Sequence, residues 1–383
     1  MLVKFLAGLY FYSPYMTLYF LDRGLNYIQI NSVWGIIVLT MFLTEIPTGI
    51  LADRIGRRKA VQAAIFLQFV GEFLFLFITQ YWLLVIDAVI AGLGFAFGSG
   101  ALEALVYDQL SAENRPDQMK KVMGRLNGAT YLGFVISFGL SGFLVQRATQ
   151  TNIRNAILYT TIAVGLAFLL TLTLKTEKTP GDLSANPQPL IVVKEGFRLL
   201  QRNKTLRRLV LLSILTIGFW DYLANLYQPY FQKIGVPDAF FGPTMALASI
   251  AAFLAVNKVQ LLEQKIGAQW GLLVATIAPG IIYLVLFINP FPWIGVLAII
   301  FFRGLNALKN PLFAAYHNRQ IASHHRATML SFISMIAGGY TAVMGLIIGA
   351  IAEYSLTSAF LFAGLLVTTA AILLRVDRTT LTS

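Results

Sequence analysis

Cysteine is absent from the 383 residues, so disulfide staples, thiol nucleophiles and cysteine-ligated metals are all excluded. Charge is scarce as well. Asp, Glu, Lys and Arg make up 12% of the chain, about half of what a soluble globular protein carries. Histidine occurs three times, at 317, 324 and 325, with a spacing that fits no zinc motif. No Gly-Lys-Ser/Thr loop is present to cradle a nucleotide phosphate. With no convergent nucleophile, acid–base or metal set in view, neither an enzyme nor a bound metal or cofactor is expected. The short alternating segments of a β-barrel are missing too.

Apolar residues supply what charge does not. They make up 57% of the chain and come in long runs, close to the 20 or so residues a helix needs to cross a bilayer. Twelve spans are expected. The first six lie near 4–24, 30–51, 60–79, 82–106, 122–146 and 155–175. The second six lie near 208–231, 239–262, 270–289, 293–316, 329–350 and 355–374. Lys4 precedes an apolar run with no small-residue cleavage site before Asp22, so the first run reads as a retained span and not a leader. The fold class expected is an all-α polytopic membrane protein. Its place is the cytoplasmic membrane, with both termini inside.

The net charge of +12 raises the possibility of nucleic-acid binding, and its placement argues against it. Arg23, Arg147, Arg154 and Lys233 fall outside, and Arg303 and Lys309 fall within a span. Every other Lys and Arg lies in a cytoplasmic loop, span end or terminus, as the positive-inside rule requires. The excess is topological, so the partner implied is the lipid bilayer; a monomer is expected.

The chain divides at 176–207, where Pro180, Gly181, Pro187 and Pro189 precede a basic stretch. That pattern marks a linker, whose residues 195–202 could form a short amphipathic helix on the membrane. It separates a first bundle, 1–175, from a second, 208–383. The halves repeat at an offset of 211: Gly24 with Gly235, Gly56 with Gly267, and Arg115 with Arg326. Duplicated bundles around a central site are a recurrent transporter plan.

The most informative stretch is Gly49-Ile-Leu-Ala-Asp-Arg-Ile-Gly-Arg-Arg-Lys59, between the second and third spans. It sets Asp53 among Arg54, Arg57, Arg58 and Lys59, and its glycines at 49 and 56 would let helices or turns approach closely. In its second copy Gln264 and Ala268 replace Asp53 and Arg57. This string resembles the signature loop of the major facilitator superfamily, and the resemblance extends to span count, central linker and internal repeat. It implies two pseudo-symmetric six-helix bundles and alternating access to a cavity lined by spans 1, 4, 7 and 10. It also implies that Asp53 caps span 11, and that Arg57 pairs with an acid at the inner end of span 4. Asp108 fits that partner best, with Glu103 one turn deeper, and the cluster would gate the cytoplasmic side. The plain alternative is a topology-setting loop with no gating role. The Gly-Pro dipeptide of drug–proton antiporters is missing from span 5, whose Gly124, Gly128, Gly133, Gly139 and Gly142 have no proline among them.

Charge inside a span costs about 2.5–3.5 kcal/mol even on lenient scales, so it needs a cavity or a partner. Asp221 in span 7 and Arg303 in span 10 are the foremost candidates. Arg303, Asn306, Lys309 and Asn310 share an arc of about 120° at helical spacing; Asp221, Asn225 and Gln228 form a second stripe. Either they bind solute, with Asp221 as a candidate for the coupling proton, or Asp221 and Arg303 form a fixed structural pair. Tyr12, Tyr15 and Trp220 are expected to line the cavity, whereas Tyr19 and Tyr230 suit an interfacial belt. Glu72, Asp87 and Glu45 read as structural acids, with Asp87 near enough to the outer end of span 4 to meet water. The function expected is secondary transport of a small organic solute, coupled to protons, with uptake and efflux both open. A transport-inactive receptor or scaffold and a lipid flippase of the same fold are the alternatives.

Overall fold

The computed structural model describes residues 1–174, 189–217, 219–321 and 326–375. These fold into helices, with no strand among the described residues. In the first half, α1 (Leu2–Leu6) and α2 (Met16–Leu21) precede α3 (Tyr27–Ile55), α4 (Arg57–Phe75) and α5 (Tyr81–Gly98). Next come α6 (Ala101–Ala112), α7 (Met119–Leu144) and α8 (Gln150–Leu172). The second half runs through α9 (Pro189–Arg202), α10 (Lys204–Ile217), α11 (Phe219–Lys233), α12 (Phe241–Asn257) and α13 (Val259–Ile266). It ends with α14 (Ala268–Ile288), α15 (Pro292–Gln320), α16 (Arg326–Tyr354) and α17 (Leu356–Leu373).

Among the described residues, nine helical stretches are long and apolar enough to cross a membrane. The other three expected spans are those around α1–α2, α4 and α10–α11. The first is not one helix. A 3₁₀ turn over Ser13–Tyr15, with Pro14 at its start, separates α1 from α2, because proline has no N–H to continue a helix. The backbone this frees is satisfied by side chains: Tyr10 N–H donates to Ser137 Oγ at 3.1 Å, and Phe11 N–H to Thr160 Oγ1 at 3.0 Å. Irregular backbone at membrane depth survives only when protein supplies such partners. The third, α4, has the length but opens on Arg57, Arg58 and Lys59 and carries Glu72. The seventh runs across residue 218, which lies outside the described residues.

Two compact units emerge. The first comprises 1–25, 32–186 and 238–246; the second comprises 26–31, 187–237 and 247–383. In the first unit α1 lies against α7, with backbone nearly touching backbone. A Cβ on Gly8 would stand 2.7 Å from the Thr130 carbonyl oxygen, and one on Gly133 would stand 2.6 Å from that of Phe5. Small residues permit this approach. Lipid tails are as apolar as leucine, so packing and not hydrophobic exclusion holds such helices together. The 238–246 segment is held here by Asp238, whose carboxylate accepts from Ala148 N–H at 2.8 Å and whose carbonyl accepts from Tyr15 Oη at 3.0 Å.

The second unit packs Leu209, Leu212, Leu272, Leu308, Leu312, Phe313 and Tyr316 into one core from α10, α14 and α15. Helix α9 is a full helix from Pro189 and does not lie free on a surface. Phe197 meets Phe332 of α16 at 6.5 Å, and a Cβ on Gly196 would stand 2.3 Å from the Phe332 ring.

The duplication is written in the backbone. Gly24 and Gly235 have φ of 81° and 78°, and Gly56 and Gly267 have 93° and 80°. Each pair is 211 residues apart and holds a conformation that side-chain-bearing residues avoid.

Candidate functional site

The signature loop is a sharp corner. Gly56, with φ 93° and ψ 146°, ends α3 and opens α4. Its glycine is required by this backbone and not by close packing, since a Cβ there meets nothing within 4 Å. Gly49 lies inside α3 with open space around it too, so close approach accounts for neither glycine. Arg57, on the first turn of α4, forms an ion pair with Asp108 of α6 and also reaches the Ala104 carbonyl at 3.3 Å. Glu103, a turn earlier on α6, is exposed. Arg58 donates to the Leu172 carbonyl at 2.8 Å, capping the end of α8, where carbonyls lack helical partners. Arg54 is exposed, and the Asp53 side chain lies outside the described residues.

On α15 the four expected polar residues do not share one surface. Lys309 is buried, with its Nζ donating to the Thr216 carbonyl of α10 at 2.6 Å. Arg303 is half-buried. Asn306 is half-buried with its Oδ1 unpartnered among the described residues, and Asn310 is exposed. The spread arises because Lys309 has turned into the α10–α15 core, where an open backbone acceptor compensates its ammonium. On α11, Asn225 donates to Asn31 Oδ1 at 3.1 Å, while Gln228 is buried and returns to the Ala224 carbonyl at 3.3 Å. The side chains of Trp220 and Asp221, and all of His324 and His325, lie outside the described residues. His317 is buried against the Phe313 ring.

In the first unit Tyr15 is fully buried and stacked on Phe241 at 5.8 Å, and Tyr12 packs on Phe75 at 5.0 Å. Both are core positions. Tyr19 and Tyr230 are buried as well and belong to no interfacial belt. A cavity of about 420 Å³ does exist in this unit. It is lined by Val61, Leu102, Val106 and other apolar side chains, with Lys4, Glu113 and Arg125 among its few polar ones. None of the residues expected to bind solute lines it.

One grouping was missed. Asp87 does not meet water: it is 8% exposed, and Glu72 is 7% exposed. The two acids lie on the neighbouring helices α4 and α5, with the Asp87 carboxyl close to Gly71, the residue before Glu72, and with the Tyr10 and Tyr12 hydroxyls near Glu72. The signal was in the numbering. Helices α4 and α5 are joined by a short link, 76–80, and Glu72 and Asp87 both stand within two helical turns of it. In an antiparallel hairpin that places both acids at one depth.

The sequence matches the family model for the Major Facilitator Superfamily over residues 1–338. It is 20% identical over 352 residues to the MFS-type transporter YxaM of Bacillus subtilis (strain 168), covering 91% of this chain and 87% of that one. Its fold is similar to a crystal structure of a point mutant of the nucleoside transporter NupG, with a TM-score of 0.81 and 14% identity, over 97% and 98% of the two chains. It is also similar to a D-xylose-proton symporter, with a TM-score of 0.73 and 15% identity, over 99% and 97%.

Proposed function

The chain belongs to the major facilitator superfamily, a family of membrane transporters, and from that premise we propose that it moves a small organic solute by alternating access, coupled to protons. The reading rests above all on Arg303, a half-buried cation well inside the apolar helix α15. A cation at such depth is costly and is retained where it meets a solute, a cavity or a partner. Arg303, Asn306 and Asn310 of α15, with Asn225 and Asp221 of α11, are the side chains assigned to the solute. Arg303 and the amides beside it favour an anionic or amphipathic solute. A D-xylose-proton symporter shares the fold, which makes proton coupling compatible with this architecture. The signature cluster of Arg57, Asp108, Arg54, Arg58 and Asp53 is assigned to conformational gating.

The test uses the purified chain in liposomes with an internal pH dye and a panel of organic anions, cations and sugars. A solute-dependent proton flux is expected, lost in Asp221→Asn and in Arg303→Gln. Solute uptake without proton movement would remove the coupling, and binding of a solute without uptake would favour a receptor.

A further inference from the structure

Glu72 and Asp87 sit where carboxylates are hardest to keep charged. Each is more than nine-tenths buried. No ion pair involves either among the described residues. Glu72 Oε2 and Asp87 Oδ1 have no hydrogen-bond partner there. Arg23, a cation of the same unit, is engaged elsewhere: it donates to the Ile78 carbonyl and to Gln150, and its guanidinium lies over the Tyr19 ring.

The surroundings are polar but uncharged. Span 1 contributes the Tyr10 and Tyr12 hydroxyls, the titratable groups that face Glu72 besides Asp87. Helix α4 itself contributes Gln68, whose amide donates to Tyr10 Oη at 2.8 Å. From α8, Thr161 donates to the Glu72 backbone carbonyl at 3.0 Å and leaves the carboxyl alone. Helix α6 also packs on α4, with its acids Glu103 and Asp108 near the Arg57 end. Room for the second acid comes from Gly71, where a Cβ would stand 3.1 Å from Asp87 Oδ1.

We propose that Glu72 and Asp87 together form the proton-binding site of this transporter. The inference rests on the coupled-transport reading given above and relocates its proton from Asp221 to the first unit. Two neighbouring carboxyls in a dry setting cannot both stay ionised, since like charges repel and neither has a cation to offset desolvation. A proton taken from water converts one carboxylate to a carboxylic acid, whose O–H then satisfies an orphaned oxygen of the pair. Release returns the proton to water and leaves the carboxylate, which requires the α4–α5 seam to hydrate. A purely structural pair would instead keep its proton at every pH.

Infrared difference spectroscopy of the full chain in liposomes, recorded on stepping from about pH 6, above the range in which exposed carboxyls titrate, to alkaline pH, reads this without any solute. A carboxylic-acid carbonyl band that appears with acid and vanishes with base is expected. It should shift in Glu72→Gln and in Asp87→Asn, each of which leaves one buried acid, and be lost when both substitutions are combined. A wild-type spectrum with no titrating band, or a band that survives both substitutions together, overturns the proposal. Should either neutral variant fail to fold, Glu72→Asp and Asp87→Glu keep the acid and move it by one methylene; the band must then shift in frequency, and an unshifted band overturns the assignment. Solute-driven flux is the separate arm. Absence of flux with a titrating band lost in the double variant would sink the transport reading and leave the proton site standing. Flux that stays proton-coupled in both variants would sink the site and leave transport standing.

Discussion

An ion pair ties the first half's basic loop to the end of its fourth span. Arg57 and Asp108 are each about a quarter exposed, so solvent screens their attraction, and the pair is worth about 1 kcal/mol. A double-mutant cycle with Arg57→Gln and Asp108→Asn, followed by thermal unfolding, should give a coupling energy of that order. Zero coupling would mean that Arg57 works through the Ala104 carbonyl alone. The resemblance of the loop to the family signature made Arg57 and its acid legible from the start. Lys309 was not legible in that way. Its helical arc placed it beside Asn310, yet a long flexible stem let its ammonium swing to the Thr216 carbonyl. Periodicity fixes where a Cβ points, whereas rotamers decide where the charge ends up.

At the scale of elements, the seam between α1 and α7 is set by glycine. Gly133→Val should force α1 away from α7, because a Cβ at 133 would stand 2.6 Å from the Phe5 carbonyl oxygen. Because backbone and not a yielding side chain is in the way, the loss should be about 1–3 kcal/mol. It is measurable as a lower unfolding temperature, and an unchanged value would mean that the helices can separate freely. Gly124 and Gly128 on the same helix have nothing within 4 Å of a built Cβ, so valine there should cost far less. Sequence alone lists these glycines as equals, and only the packing partner distinguishes them. The break in the first span was equally hidden: the turn at Pro14 persists because Ser137 and Thr160, more than a hundred residues away, bond the irregular backbone before it.

For the whole molecule, the absence of cysteine allows a clean test of topology. Single cysteines at Lys121 and Arg147, both exposed, should respond in opposite ways to a membrane-impermeant thiol reagent applied to intact cells. Arg147→Cys should label about tenfold faster than Lys121→Cys, with the difference abolished on lysis, if positive residues mark the inside. Equal labelling in intact cells would reverse or dissolve the assigned topology.

Composition, hydropathy and the offset of 211 determined by themselves that this is a duplicated helical membrane protein, and the loop at 49–59 carried the resemblance to its family. A bilayer demands long apolar helices whatever their contacts, and glycine at positive φ is demanded by the local backbone. Tertiary structure alone decided that Glu72 and Asp87 meet, that Tyr12 and Tyr15 are core, and that Lys309 is spent on a carbonyl. Those outcomes depend on which helix faces which and at what depth. A sequence carries that information only when a tight hairpin, such as the one between α4 and α5, turns separation along the chain into position in space.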